Sequence, residues 1–319
     1  MRYTVILCLC IVGLSNNLKA QLSDEYVEYK WVADSLYGKE NYAAAVGFFR
    51  KICDLPSFIP RYDYYYAAYC YTKINKLDSA LLYLAKGAKK GMRFNKIRDI
   101  DSDKTLVPLR KFKLWDTIRG LLYENIYEFD HDPSRNDSLR KVLLNIQKKD
   151  EGVRLHWPMD STYHLLSKLQ QDSINDEFKD NTKEDEIELK KIINKFGWPG
   201  LRMVGYDGET AAWIIAQNSY NDSTFQVFCY RKMMSAMLLN YDSQLSNLAF
   251  LQDRILLNRG EQQIYGTQFI LYDKAVQGKN LAPSPIWDEK NVNKRRHAVQ
   301  LQPLETYLAE SEKYNSNKK

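Results

Sequence analysis

Histidine and cysteine are scarce in this chain, and their placement excludes more than their number does. The four histidines, His131, His156, His164 and His297, form no helical pair with a glutamate between them, and no Cys-x-x-Cys occurs beyond residue 20. The common zinc signatures are therefore missing, and neither a metal nor a cofactor is expected. Of the five cysteines, Cys8 and Cys10 lie near the start, and Cys53, Cys70 and Cys229 follow. An odd three cannot be a disulfide framework for a chain of this size. They read as small buried hydrophobes, with a Cys53–Cys70 bridge left open. Also missing is a basic stripe. The formal charge is +6, lysine and arginine are mixed with acidic residues along most of the chain, and no nucleic acid is expected as a partner. After residue 20 no apolar run reaches about 18 residues, so no integral membrane segment is expected there.

What is present begins with a leader. Arg2 supplies a positive end, Val5 to Leu14 is an apolar run too short for a stable span, and Leu18-Lys19-Ala20 ends on a small residue. Residues 1–20 read as a secretory signal peptide, with an uncleaved anchor as the alternative. The mature chain then starts at Gln21, in the periplasm or outside the cell, with a charge of about +4 once Arg2 and Lys19 are gone. Cys8 and Cys10 each follow a leucine where a lipoprotein leader needs a small residue, which argues against a lipid anchor. The 319 residues and 45% hydrophobic content suffice for about two domains, each with its own core.

From Glu25 to about Met92 the sequence repeats with a shift of 35: Ala33, Leu36, Tyr42, Ala45, Phe49 and Ile52 align with Ala68, Tyr71, Leu77, Ala80, Leu84 and Gly87. Small alanines let helices approach, and the larger residues fill the gap to the next hairpin. This spacing, with Tyr42-x-x-Ala45 and Leu77-x-x-Ala80, resembles the tetratricopeptide repeat over about residues 25–126. Two repeats bury little alone, so Asp101 to Asp130, with Leu106, Leu109, Leu114, Trp115, Ile118, Leu121 and Leu122, is expected to cap them. The resemblance implies an inner concave face carrying Tyr26, Lys30, Asp34 and Tyr37, then Tyr62, Tyr65, Tyr69, Thr72 and Lys73. A protein or peptide partner is expected there, because tyrosine offers a ring and a hydroxyl at small entropic cost. The bland alternative is that these rings pack between helices.

His131 to Asn136 holds turn formers and suggests a boundary. A helix is expected from about Ser138 to Lys149, and a solvated loop or frayed helix over Asp172–Asp185. The second domain is expected to be a helical bundle. Its helices start at Thr182 with Asp185 and stop at Gly197, then span Glu209–Asn218, Ser223–Leu239 with Ser223 and Gln226 as a capping box, and Ser243–Asn258 up to Gly260. Tyr265 to Tyr272 reads as part of a short hairpin. The whole is a mainly α protein: residues 21–130 a repeat domain, 131–185 a linker with lead-in helices, 186–308 a helical domain and 309–319 a disordered tail.

In that second half, Asp150 and Arg154, Gly197-Trp198-Pro199, Ala212-Trp213, Ala216-Gln217, Asp253-Arg254, Gln263 with Tyr265-Gly266-Thr267-Gln268, and Arg295-Arg296 together resemble an uncharacterised bacterial domain family over about 139–308. The resemblance implies a fold neighbourhood and no activity. Where members of that family carry histidine after the glutamine, this chain has Asn218, which weakens any general-base role. The candidate ligand-binding set is Gln217, Asn218, Asp253, Arg254, Gln263, Tyr265, Thr267, Gln268, Arg295 and Arg296. It contains good hydrogen-bonding groups but no evident nucleophile and base, and no catalytic residue is assigned. Asp253 is expected to be part buried and paired with an arginine. Three readings stay open: a structural network, a polar ligand pocket, and a hydrolase or transferase site for cell-envelope material around Asp253, Tyr265 and Arg296. The last requires Asp253 exposed on the floor of a cleft.

Overall fold

The computed structural model describes residues 22–56, 59–155, 165–220, 222–240, 243–269 and 282–316. The leader, Phe58, His156, His164, Tyr272, Gly278 and residues 317–319 lie outside them. The chain divides into two compact units: the described residues up to Asp132 together with Lys294–Ala298, and Pro133–Asn293 with the residues from Val299 on. The fold is mainly helical.

In the first unit, α1 (Asp24–Gly38) starts because the Ser23 side chain accepts from Tyr26 N at 3.2 Å, with Asp24 and Glu25 complementing the positive helix end. The helices α2 (Tyr42–Cys53), α3 (Tyr62–Lys73) and α4 (Leu77–Lys89) follow, each packed on the one before. The 35-residue shift holds for burial and for the backbone. Ala33 and Ala68, Ala45 and Ala80, and Phe49 and Leu84 are all fully buried. Glu40 and Asn75 both turn at positive φ, 57° and 59°, and the next amide reaches back five residues in each case, Asn41 N to Leu36 O and Lys76 N to Tyr71 O. Gly87 lets α4 approach α3, since a Cβ there would stand 2.8 Å from the Tyr64 Cβ. A short helix α5 (Ile97–Ser102), a 3-10 turn Val107–Leu109 and α6 (Lys113–Asp130) complete the unit. The buried face of α6, Trp115, Ile118, Leu122 and Ile126, packs on α4, and Asn125 Nδ2 donates to the Ala88 and Met92 carbonyls at 2.8 Å. Cys53, Cys70 and Cys229 are free thiols, so the Cys53–Cys70 bridge left open by the sequence is not made. Burial pushes the Cys70 thiol up to about 12.

The second unit opens with α7 (Asp137–Leu155), capped by Asn136 Oδ1 on Leu139 N at 2.8 Å. Next comes α8 (Lys168–Phe196), one 29-residue helix where the sequence suggests a loop and then a start at Thr182. Its true start is a capping box of Ser167 with Gln170, while Thr182 and Asp185 lie mid-helix and buried. Gly197, at φ 79°, ends it. Helix α9 (Leu201–Asn218) begins eight residues before the expected Glu209 and is interrupted at Gly205, φ 73°. Helix α10 (Ser223–Asn240) is capped by Asp222, whose Oδ1 accepts from Phe225 N at 2.8 Å; the Gln226 side chain turns inward, so the expected Ser223 box does not form. Helix α11 (Leu245–Asn258) starts two residues after the expected Ser243. Among the described residues the expected hairpin amounts to two isolated bridges, Gln263 with Ile286 and Phe269 with Pro283. Helices α12 (Val292–Ala298) and α13 (Leu304–Ser316) close the described chain, so residues 309–316 are helical where a disordered tail is expected. Among the described residues no helix is long and apolar enough to cross a membrane.

Candidate functional site

The loop after α11 is shaped by one carboxylate. Gly260, at φ 72°, ends the helix, and the chain then turns back over Asp253, which is fully buried. Asp253 Oδ1 accepts from Ile264 N at 2.7 Å and Tyr265 N at 3.1 Å; Oδ2 accepts from Thr267 N at 3.0 Å and Thr267 Oγ1 at 2.9 Å. Gly266 makes this possible: it sits at φ 68°, and a Cβ there would stand 2.8 Å from Ile286 Cδ1. Burial pushes the Asp253 carboxyl above its ordinary range, against the pull of the amides. The partner expected from the sequence was an arginine, and the partners found are three backbone amides and a hydroxyl. Asp253 is also not on the floor of an open cleft, which removes the geometry that the hydrolase or transferase alternative requires.

The glutamines complete the loop. Gln263 Nε2 donates to Gln268 O at 3.0 Å and Ser284 O at 2.6 Å, while its Oε1 accepts from Gln268 N at 2.9 Å. Gln268 Nε2 donates to Thr267 Oγ1 at 2.8 Å, and Gln217 Nε2 lies 3.5 Å from Gln268 Oε1. A directed chain results: Gln217 to Gln268, Gln268 to Thr267, Thr267 to Asp253. Tyr265 joins it through its amide, with its ring buried. Asn218 points elsewhere, donating to the buried Asp150 at 2.9 Å and accepting from Tyr220 OH at 3.4 Å, with the Arg254 guanidinium 4.6 Å from the Tyr220 ring centroid. Arg295 and Arg296 are both buried, in the stretch of α12 counted with the first unit.

Sequence reasoning missed two features of the second unit. Glu209 is fully buried and accepts from Ser243 Oγ at 2.7 Å, Gln244 Nε2 at 2.8 Å and Asn247 Nδ2 at 3.0 Å; burial pushes its carboxyl up. The other is an aromatic line. Trp213 meets Phe250 edge-on at 5.7 Å between centroids, Phe250 meets Tyr307 at 6.0 Å, and Tyr307 stacks on Phe269 at 5.2 Å. The signal available in the sequence was the spacing of Trp213 and Gln217, four apart and so on one helix face.

In the first unit, Tyr26 is fully buried with its hydroxyl on Asp63 at 2.8 Å, so it is a core residue and drops out of the expected partner set. Lys30 Nζ sits between Asp34 at 2.7 Å and Asp63 at 3.1 Å, and His297 Nε2 contacts Asp34 at 2.5 Å. Tyr37, Tyr65 and Tyr69 are half-buried; Tyr62 and Lys73 are exposed. Tyr65 also donates to Asp103 at 2.7 Å. Among the described residues, no group of three or more His, Cys, Asp or Glu could hold a metal ion.

No curated protein and no solved structure matches the chain. Residues 176–318 match the model of a family of unknown function, DUF6624, a stretch that begins inside α8 and takes in Gln217, Asp253 and the whole pinned loop.

Proposed function

We propose that this chain is an exported, non-enzymatic binding protein whose first unit is a tetratricopeptide-like pair of hairpins that grips an extended segment of a partner protein. The observation that carries this reading is a contiguous field of half-buried tyrosines. Tyr37 lies 5.4 Å from Tyr66 and 5.1 Å from Tyr69, Tyr42 lies 5.7 Å from Tyr69, and Tyr65 lies 6.2 Å from Tyr69. Exposed Lys73 holds its ammonium 5.3 Å from the Tyr69 ring centroid. Rings already locked against one another lose little freedom when a partner covers them, and each keeps an apolar face beside a hydroxyl.

The test is an array of immobilised extended peptides probed with the wild type, Tyr69→Ala and Lys73→Glu, with circular dichroism to check that helix content is unchanged. The wild type should retain a subset of peptides that both variants lose. Equal retention by all three would remove the reading. Export is checked by the intact mass of protein from the envelope fraction, which should begin at Gln21.

A further inference from the structure

Several buried side-chain polar atoms of the second unit have no hydrogen-bond partner among the described residues, and two of them share one face of a single helix. Glu209 has three side-chain donors and Asp253 has four donors in all. Yet Trp213 Nε1 and Gln217 Oε1, one turn apart on α9, are both shielded from solvent with no hydrogen-bond partner among the described residues. A buried donor and a buried acceptor left open one turn apart call for an explanation.

The polarity of this pair is fixed from below. Thr267 gives its hydroxyl proton to Asp253, so its oxygen accepts from Gln268 Nε2; that orients Gln268 Oε1 toward Gln217 Nε2. Flipping the Gln217 amide would set oxygen against oxygen, so Gln217 Oε1 is the atom left free. Gln217 is itself only 7% exposed. Starting from Trp213 itself, Phe250, Tyr307 and Phe269 continue a run of four half-buried rings in contact. The site therefore offers one N–H, one C=O and an apolar aromatic wall.

We infer that this corner of the second unit binds a small ligand through a secondary amide. The ligand carbonyl accepts from the Trp213 indole, the ligand N–H donates to Gln217 Oε1, and the remainder lies along the rings. An acetamido sugar and a peptide amide share this chemistry. The inference is independent of the tyrosine face of the first unit.

The experiment uses the full mature chain with 15N-labelled tryptophan, the Trp213 indole resonance being assigned by its loss in Trp213→Phe. N-acetylglucosamine, N-acetylglycinamide and glucose are titrated separately to on the order of 100 mM. A saturable downfield shift of the Trp213 indole proton with either amide, absent with glucose, is the expected result, and the amide that produces it identifies the source. Gln217→Leu should weaken that binding by at least roughly tenfold. No saturable shift with either amide, or an equal shift with glucose, overturns the inference. So does an indole contact to a bound water that persists unchanged through both amide titrations.

Discussion

Replacing Asp253 with alanine removes the acceptor for three backbone amides and a hydroxyl at one stroke. A buried donor left without a partner costs about 1–3 kcal/mol, and the Thr267 hydroxyl can rotate to another acceptor. Three stranded amides, partly rescued by water entering the vacated space and by relief of the buried charge, give a loss of about 3–5 kcal/mol. That is a large share of the roughly 5–15 kcal/mol holding a typical domain. Asparagine is the informative contrast. It keeps one oxygen for Ile264 and Tyr265 but sets an NH2 against the Thr267 amide, so about 1–3 kcal/mol is expected. Because two units need not unfold together, the assay pairs urea unfolding with residue-resolved amide exchange. The Ile264, Tyr265 and Thr267 amides should lose protection in Asp253→Ala, and only Thr267 strongly in Asp253→Asn. Alanine and wild type within about 1 kcal/mol, with all three amides still protected, would refute the view that this carboxylate holds the loop.

Lys30→Met should destabilise the first unit by about 3–5 kcal/mol, because it strands Asp63, 1% exposed, while the double variant Lys30→Met with Asp63→Leu should recover most of that loss in thermal unfolding. The Arg140 side chain pairs with Asp207 through two guanidinium nitrogens, Nε and Nη2, and holds that carboxyl below its ordinary range. Arg140→Ala should raise it toward the usual value in a carbon-detected titration, while the Gly208 amide still donates to Asp207. The stability the pair adds is present above the unfolded carboxylate pKa near 4 and is lost as pH falls through the folded value, so the two proteins should converge in acid.

The helical character of the first unit was legible because its evidence is a register. A shift of 35 pairs alanine with alanine whatever surrounds them, and the same shift recurs in the left-handed Glu40 and Asn75. The start of α8 was not legible, for a physical reason. Its buried face carries Asn181, Thr182, Asp185 and Glu186 beside Phe178 and Leu189, so an apolar periodicity fades where the helix continues. Side-chain pairs such as Lys168 with Asp172 support the exposed face, and charge-rich composition then reads as a loop.

The site was legible as an inventory and not as a wiring diagram. Asp253, Gln263, Thr267, Gln268 and Gln217 were identifiable by type and do lie within one hydrogen-bonded set. Their partners were hidden because most are backbone groups, which every residue carries and no composition reveals. This is why an arginine was expected beside Asp253 and three amides are found. It also decides what such a loop can do. A carboxylate whose oxygens already accept four donors has no capacity left to move a proton or meet a ligand, so the most acidic residue of the set is its least available one. Availability passes outward along the chain that Asp253 orients, through Thr267 and Gln268, and reaches an atom without a match only at Gln217, one turn from Trp213. Recognition in this unit is therefore to be sought one helix away from the motif that first draws the eye, on the face of α9.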